Sequence, residues 1–119
     1  MATILVVDDS PTEAEVVRNM LEKVGYNVLW ADHADRGIKM AEEMMPSLIL
    51  MDVVMPGMNG FQATRRLTRN PITKNIPVIM LTTKDQVSDR EWGLKNGARA
   101  YFVKPPEQES LLNQIKLLI

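Results

Sequence analysis

Residues 4–11 read Ile-Leu-Val-Val-Asp-Asp-Ser-Pro. Ile4–Val7 is apolar throughout, as a strand inside a parallel sheet should be. It ends abruptly on two adjacent carboxylates, Asp8 and Asp9. Like charges at the mouth of a buried strand admit two readings. They form an acidic site at a sheet edge, or they and Ser10 cap the helix that follows.

Outward from this run the pattern repeats. Asn27–Ala31, Leu48–Met51, Val78–Leu81 and Ala100–Val103 are further strand candidates. Between them, Val16, Val17, Met20, Leu21 and Val24 recur at helical spacing, with Gly25 as a stop. Gly37, Ile38, Ala41, Met44 and Met45 form a second stripe closed by Pro46. Phe61, Thr64 and Leu67 suggest a third helix, and Val87, Leu94 and Gly97 a fourth. Leu111, Leu112, Ile115, Leu118 and Ile119 give a fifth. Five strands alternating with five helices predict an α/β, doubly wound parallel sheet with helices on both faces. Leu48–Met51 reads as interior, Asn27–Ala31 and Ala100–Val103 as edges. Asn70–Pro77, with two prolines, reads as a surface connection.

The chain has 119 residues, enough for one domain, and 45% of them are hydrophobic, enough for a core. Fourteen Lys and Arg against fifteen Asp and Glu leave a formal charge of −1. That argues against a nucleic-acid binder driven by a basic surface. No apolar stretch is long enough for a membrane span, and MATILVVDDS lacks the basic start of a signal peptide. The absence of cysteine fits a reducing cytoplasm. A single histidine, His33, cannot build a multi-histidine zinc site.

In open parallel sheets, ligands bind at the carboxyl ends of the strands. Asp8 and Asp9 follow the first strand, and Asp52 follows the third, in LILMDVVMPGMNG. The fourth ends in Thr82 and Thr83. The fifth ends in Lys104–Pro105. Acids, hydroxyls and one lysine therefore fall on one edge, far apart in sequence and brought together by the fold. Crowded carboxylates call for protonation or a cation. Hard oxygen donors suit Mg²⁺, which keeps several waters and accepts phosphate oxygens. The chemistry this group can support is phosphoryl transfer to an aspartate. Each residue also has a plain structural reading: Asp8, Asp9 and Ser10 as caps, Asp52 as a turn residue, Thr82 as a strand-end β-former, Lys104 as a solvated lysine. Their joint occurrence at four strand ends favours the site.

ILVVDDS, LILMDVVMPGMNG, PVIMLTT and GARAYFVKP resemble the receiver domain of two-component response regulators, over essentially the whole chain. VVDDSPTE, MPGMNGFQATRRL, LTTKDQ and WGLKNGA are similar to single-domain receivers of type IV pilus motility systems, the PilH-like group. The resemblance implies a flavodoxin-like, CheY-like (βα)5 fold of strand order 2-1-3-4-5, with residues 1–119 as a stand-alone receiver without an output domain. It implies that Asp52 is the phosphoacceptor, served by a histidine kinase or phosphotransfer domain. Asp9 would ligate Mg²⁺ (or Mn²⁺) directly, Asp8 through water, alongside Asp52 and the backbone carbonyl of Val54. Thr82 and Lys104 would each bind a phosphoryl oxygen. Lys104–Pro105 would be cis. Tyr101 would be an aromatic switch that follows Thr82. The output partner would bind the face of the fourth helix, fifth strand and fifth helix, near Trp92, Lys95 and Tyr101. The protein would be cytoplasmic and a monomer or weak dimer. Thr83 and Pro106 depart from the family's pattern, Thr83 beside the phosphorylation site and Pro106 in a double proline.

Other residues carry weaker signals. Met20, Met40, Met44, Met51 and Met80 read as core packing, while Met55 and Met58 are expected to shape the mouth of the site. Trp30 reads as packing and His33 as an exposed loop residue. Trp92 reads as a partly buried amphipathic residue or a partner anchor. The functional alternatives are a phosphate sink for a sister regulator, a Mg²⁺-dependent aspartyl-phosphate phosphohydrolase and a receiver that acts without phosphate. The second wants an acid two residues after the nucleophile, where Val54 stands. The third is disfavoured by the full set Asp8, Asp9, Asp52, Thr82 and Lys104.

Overall fold

The computed structural model describes all 119 residues. Its elements run β1 (Thr3–Val7), α1 (Pro11–Lys23), β2 (Asn27–Ala31), α2 (Ala34–Met44), β3 (Leu48–Met51), α3 (Gly60–Arg69), β4 (Val78–Thr82), α4 (Val87–Lys95), β5 (Ala100–Val103) and α5 (Gln108–Leu118). The five strands form one parallel sheet of order β2-β1-β3-β4-β5, with β2 and β5 as the edges. No helix is long and apolar enough to cross a membrane.

Alternation along each strand divides the interior into two cores. Leu5, Val7, Ile49, Met51 and Met80 face α2 and α3, against Ala41, Phe61, Ala63 and Leu67. Ile4, Val6, Leu48, Leu50, Ile79 and Leu81 face α1 and α5, against Val17, Leu21, Leu111 and Ile115. Each fully buried aliphatic side chain contributes roughly 1.5–3 kcal/mol, so the three central strands, apolar on both faces, anchor the molecule.

Helix faces depart from the sequence reading in three places. In α1 the buried set is Ala14, Val17 and Leu21, and Val16 and Val24 lie outside it, exposed. In α2 it is Ala34, Gly37 and Ala41. Met44 and Met45 stand exposed where the helix ends, Met45 in the left-handed conformation. In α4 only Gly93 is buried, and Val87 and Leu94 face solvent. The Asn70–Pro77 connection is not wholly superficial. Thr73 and Ile76 are buried, and the Thr73 hydroxyl donates to the Leu67 carbonyl at 2.7 Å, closing the end of α3.

Candidate metal and phosphoryl site

The register that aligns Val7 with Met51 brings the residues after them, Asp8 and Asp52, side by side. Backbone pairing continues past the strand ends. Asp8 N–H donates to Ala31 O (3.0 Å), Asp52 N–H to Val7 O (3.0 Å) and Lys104 N–H to Thr82 O (2.8 Å). Three residues from distant parts of the chain are thus fixed on one edge by the sheet's own ladder. The Lys104–Pro105 bond is cis.

Lys104 is the hub. Its ammonium lies 2.6 Å from Asp8 Oδ2, 2.6 Å from Glu13 Oε1 and 3.1 Å from Asp52 Oδ2. The other oxygens of the two aspartates are held by backbone. Asp8 Oδ1 accepts from Ser10 N–H at 2.9 Å, and Asp52 Oδ1 from Val53 N–H at 2.7 Å and Val54 N–H at 3.4 Å. Asp8 and Asp52 are buried, whereas Asp9 is exposed at the rim. Carboxylate oxygens of Asp8, Asp9 and Asp52 lie within 4.8 Å of one another.

Charge explains the arrangement. Burial raises the Asp8 carboxyl above its ordinary range, with the Asp52 charge adding to the effect. The bonds from Lys104 and Ser10 N–H pull the other way. Burial also disfavours a charged Lys104, but its bonds to Asp8 and Glu13 and the charges of Asp52 and Asp8 outweigh it and hold the ammonium above the usual lysine range. One ammonium still faces four carboxylates, counting Glu13. Such a surplus of hard, anionic oxygen is a donor set for a small divalent cation.

Glu13 is the functional contact that sequence reasoning missed. Ser10-Pro11-Thr12-Glu13 carries the S-x-x-E signal of a capping box. Only half of that box forms: Ser10 Oγ accepts from Glu13 N–H at 3.2 Å. The other half is diverted, because Ser10 N–H bonds Asp8 and the Glu13 carboxylate turns to Lys104. The plain reading of Ser10 as a cap was therefore right, and Asp8 serves both the turn and the site. Trp30 does more than pack, since its indole N–H donates to Asp8 O at 2.8 Å. His33 is the exposed N-cap residue of α2, bonded through Nδ1 to Asp32 at 2.7 Å.

Gly60 supports the site from below. A Cβ there would sit 1.9 Å from the Asp52 carbonyl oxygen, so only glycine lets α3 start directly beneath the β3 terminus. Met55 is buried in the core and Met58 half-buried against it, so neither forms a free-standing mouth. Thr83 is exposed and lines an open hollow of about 390 Å³ with Thr12, Glu13, Val16, Lys104 and Pro106.

Thr82 is fully buried, and its Oγ1 accepts from Lys84 N–H at 3.4 Å. The Tyr101 ring is turned inward, and its hydroxyl donates to Lys84 O at 2.8 Å. Burial, then the charges of Asp89, Asp52 and Asp85, push the phenol up to about 12. Tyr101 is therefore part of the core and not of the surface near Trp92.

Compared with known proteins, residues 4–116 match the model of the response regulator receiver domain. This chain is a response regulator receiver. The receiver is 51% identical to Protein PilH of Pseudomonas aeruginosa over 119 residues, all of this chain and 98% of that one. Its fold superposes on chemotaxis response regulator CheY4 of Vibrio cholerae with a TM-score of 0.90 and 31% identity, covering 100% of this chain and 99% of that one. A second structure is the receiver domain of sensor histidine kinase PA1611 from Pseudomonas aeruginosa. It has a TM-score of 0.90 and 30% identity, covering 98% of this chain and 96% of that one, and holds a magnesium ion coordinated in its active site cleft. Membership settles the two-component, CheY-like character read from the motifs.

Proposed function

We propose that this receiver is a phosphoacceptor that takes a phosphoryl group on Asp52 from a phosphohistidine of a histidine kinase or phosphotransfer domain. The observation that carries this is the Lys104 ammonium held against Asp52 Oδ2, with Asp8 and Asp9 alongside. An Asp52 carboxylate oxygen forms the new P–O bond as the P–N bond to the imidazole breaks. The electron pair returns to the ring, which is reprotonated by solvent. Lys104 neutralises a phosphoryl oxygen, and the Thr82 hydroxyl turns from Lys84 to bond another.

Asp9, Asp8, Asp52 and the Val54 carbonyl would hold Mg²⁺, with Mn²⁺ as a substitute; the donor set fits it. That ion would supply charge neutralisation of the transferring group. Asp9, exposed at the rim, is the natural direct ligand, while Asp8, already engaged by Lys104 and Ser10, suits a water-mediated contact. A phosphohydrolase is disfavoured, because Val54 offers no acid two residues after Asp52.

Thr82 and Tyr101 both grip the Lys84 backbone, one at its N–H and one at its carbonyl. A Thr82 hydroxyl drawn to phosphate would release the first grip. We read the resulting change at α4, β5 and α5 as the signal to a cytoplasmic partner in pilus-based motility or chemosensory signalling. Phosphate shifts this equilibrium only by its differential affinity for the two states.

Incubation with acetyl phosphate and Mg²⁺ tests the reading. Intact-mass spectrometry should find one alkali-labile phosphoryl group, absent in Asp52→Asn. A label that persists in Asp52→Asn would move the acceptor to another residue, such as Thr83 or Ser10, and overturn the assignment.

A further inference from the structure

A second surface, remote from the strand ends, is built by the last turns of α3 and α4. The Thr68 hydroxyl lies 3.0 Å from Asn96 O and 3.0 Å from Thr64 O in its own helix, so the two helix ends meet at one shared donor. Between them opens a recess of about 190 Å³ lined by Arg65, Thr68, Arg69, Trp92, Lys95 and Asn96. An adjoining hollow, lined by Gln62, Arg65, Arg66, Arg69 and Asn70, continues it along α3 and carries no apolar side chain. No carboxylate stands within 4.0 Å of the cationic groups of Arg65, Arg66, Arg69 or Lys95. Trp92, at their centre, is 46% exposed.

Basic residues in a last helical turn often do no more than complement the helix dipole. Here that accounts for too little. Two helix ends supply roughly −0.5 charge each, against three cations around one recess and a fourth beside it. With the Glu42 carboxylate held by Asn70 at 2.7 Å on the edge of the adjoining hollow, about two positive charges remain uncompensated, on a protein whose formal charge is −1.

We propose that this surface docks an acidic segment of a partner protein, with carboxylates on Arg65, Arg69 and Lys95 and an apolar side chain against Trp92. The recess has the size for one side chain. The cationic strip from Gln62 to Arg69 covers about 10 Å of helix, the length of about three residues of extended chain. That extent fits a polypeptide better than a lone anion. The lack of other apolar side chains in the recess around Trp92 opposes insertion into lipid. None of these residues touches Asp52, but Trp92 and Lys95 lie in α4, whose response to phosphorylation is proposed above, so the test is made on the unphosphorylated chain and turns on Arg65 and Arg69 of α3.

The test is an NMR titration of the full chain with a capped Glu-Glu-Phe-Glu-Glu peptide at low salt. Shifts should centre on the Trp92 indole, Thr68 and Asn96, and fade as salt rises. Arg65→Glu/Arg69→Glu should bind about tenfold more weakly or worse, with a melting temperature lowered by no more than the lost dipole interaction at the end of α3 explains, roughly a few degrees, and unchanged labelling by acetyl phosphate. Peptide shifts centred elsewhere, or full affinity in the double variant, would overturn the proposal. So would inorganic phosphate binding as tightly as the peptide, which would make this a simple anion site. Arginine-dependent binding to phosphatidylglycerol vesicles or to a single-stranded oligonucleotide, with no response to the peptide, would equally reject it.

Discussion

Helices α3 and α4 follow one another on the same side of the sheet, yet they are held in different ways. Asn59 and Gln62 close a complete capping box at the start of α3, with bonds of 2.9 and 3.0 Å. Gly60, Phe61, Ala63, Thr64 and Leu67 then sink into the core. Helix α4 buries Gly93 alone. A Cβ on Gly93 would lie 3.0 Å from the Tyr101 ring and 3.4 Å from Met80. One helix is part of the core; the other rests on an aromatic ring. The difference shows where the fold can yield. A helix with little buried apolar surface opens at low free energy, so a change in the pose of Tyr101 reaches α4 before it reaches α3.

The sharpest way to break this comparison is a matched pair of truncations. Leu67→Ala in α3 should lose about 2–5 kcal/mol, the range for a fully buried leucine. Leu94→Ala in α4, at 40% exposure, should lose less than about 1 kcal/mol. Urea unfolding measures both. Equal losses would mean that α4 is anchored as firmly as α3.

A second pair uses the glycines. At Gly60 a methyl group meets the backbone of Asp52, which cannot step aside. Gly60→Ala should cost about 2–3 kcal/mol and weaken Mg²⁺ binding in a calorimetric titration. At Gly93 the neighbour is a ring that can shift, and the gain in helix propensity, about 1 kcal/mol, offsets the tighter contact. Gly93→Ala should change stability by less than about 1 kcal/mol. Its amide-exchange pattern should differ from wild type only in α4 and β5.

Removing the α3 cap is a smaller perturbation. Asn59→Ala should cost about 1 kcal/mol, read as a lower urea midpoint at unchanged slope. A loss near zero would show that the box adds nothing to a helix already fixed by its core face.

The smallest effect is spectroscopic. With the ring inward, the Tyr101 phenol should titrate near 12 instead of 10, followed by ultraviolet difference absorbance with Tyr101→Phe as the reference. A raised folded-state value favours the protonated form. The stabilisation is therefore complete below about pH 10 and is lost as pH rises toward 12. A midpoint of 10 in the native protein would place the ring outside.

Much of this was legible in the residues. Apolar runs alternating with helix-period stretches marked every strand to within one residue of its ends, because an interior parallel strand needs apolar letters on both faces. The residues just after those runs, Asp8, Asp52, Thr82 and Lys104, marked the candidate site, since strand carboxyl ends share one edge, and the Lys104 ammonium does meet Asp8 and Asp52 there. Helix faces were read less well. Val16, Met44, Val87 and Leu94 are apolar letters at plausible spacing, but spacing alone does not say which stripe meets the sheet.

By itself, then, the sequence determined what local patterning can encode: the order of elements, the layers, the acidic and hydroxyl groups at strand ends, and membership of the receiver family. The tertiary structure decided matters that depend on distant partners. Glu13 sits in a capping signature, yet its carboxylate leaves the helix start for an ammonium 91 residues away. Tyr101 faces inward because the absent side chain of Gly93 leaves room for its ring and the Lys84 carbonyl waits for its hydroxyl. The cationic recess exists because Gly97, lacking a side chain, lets the end of α4 close against Thr68 of α3. In each case a polar group or ring had several local options of similar energy, and the three-dimensional neighbour selected among them.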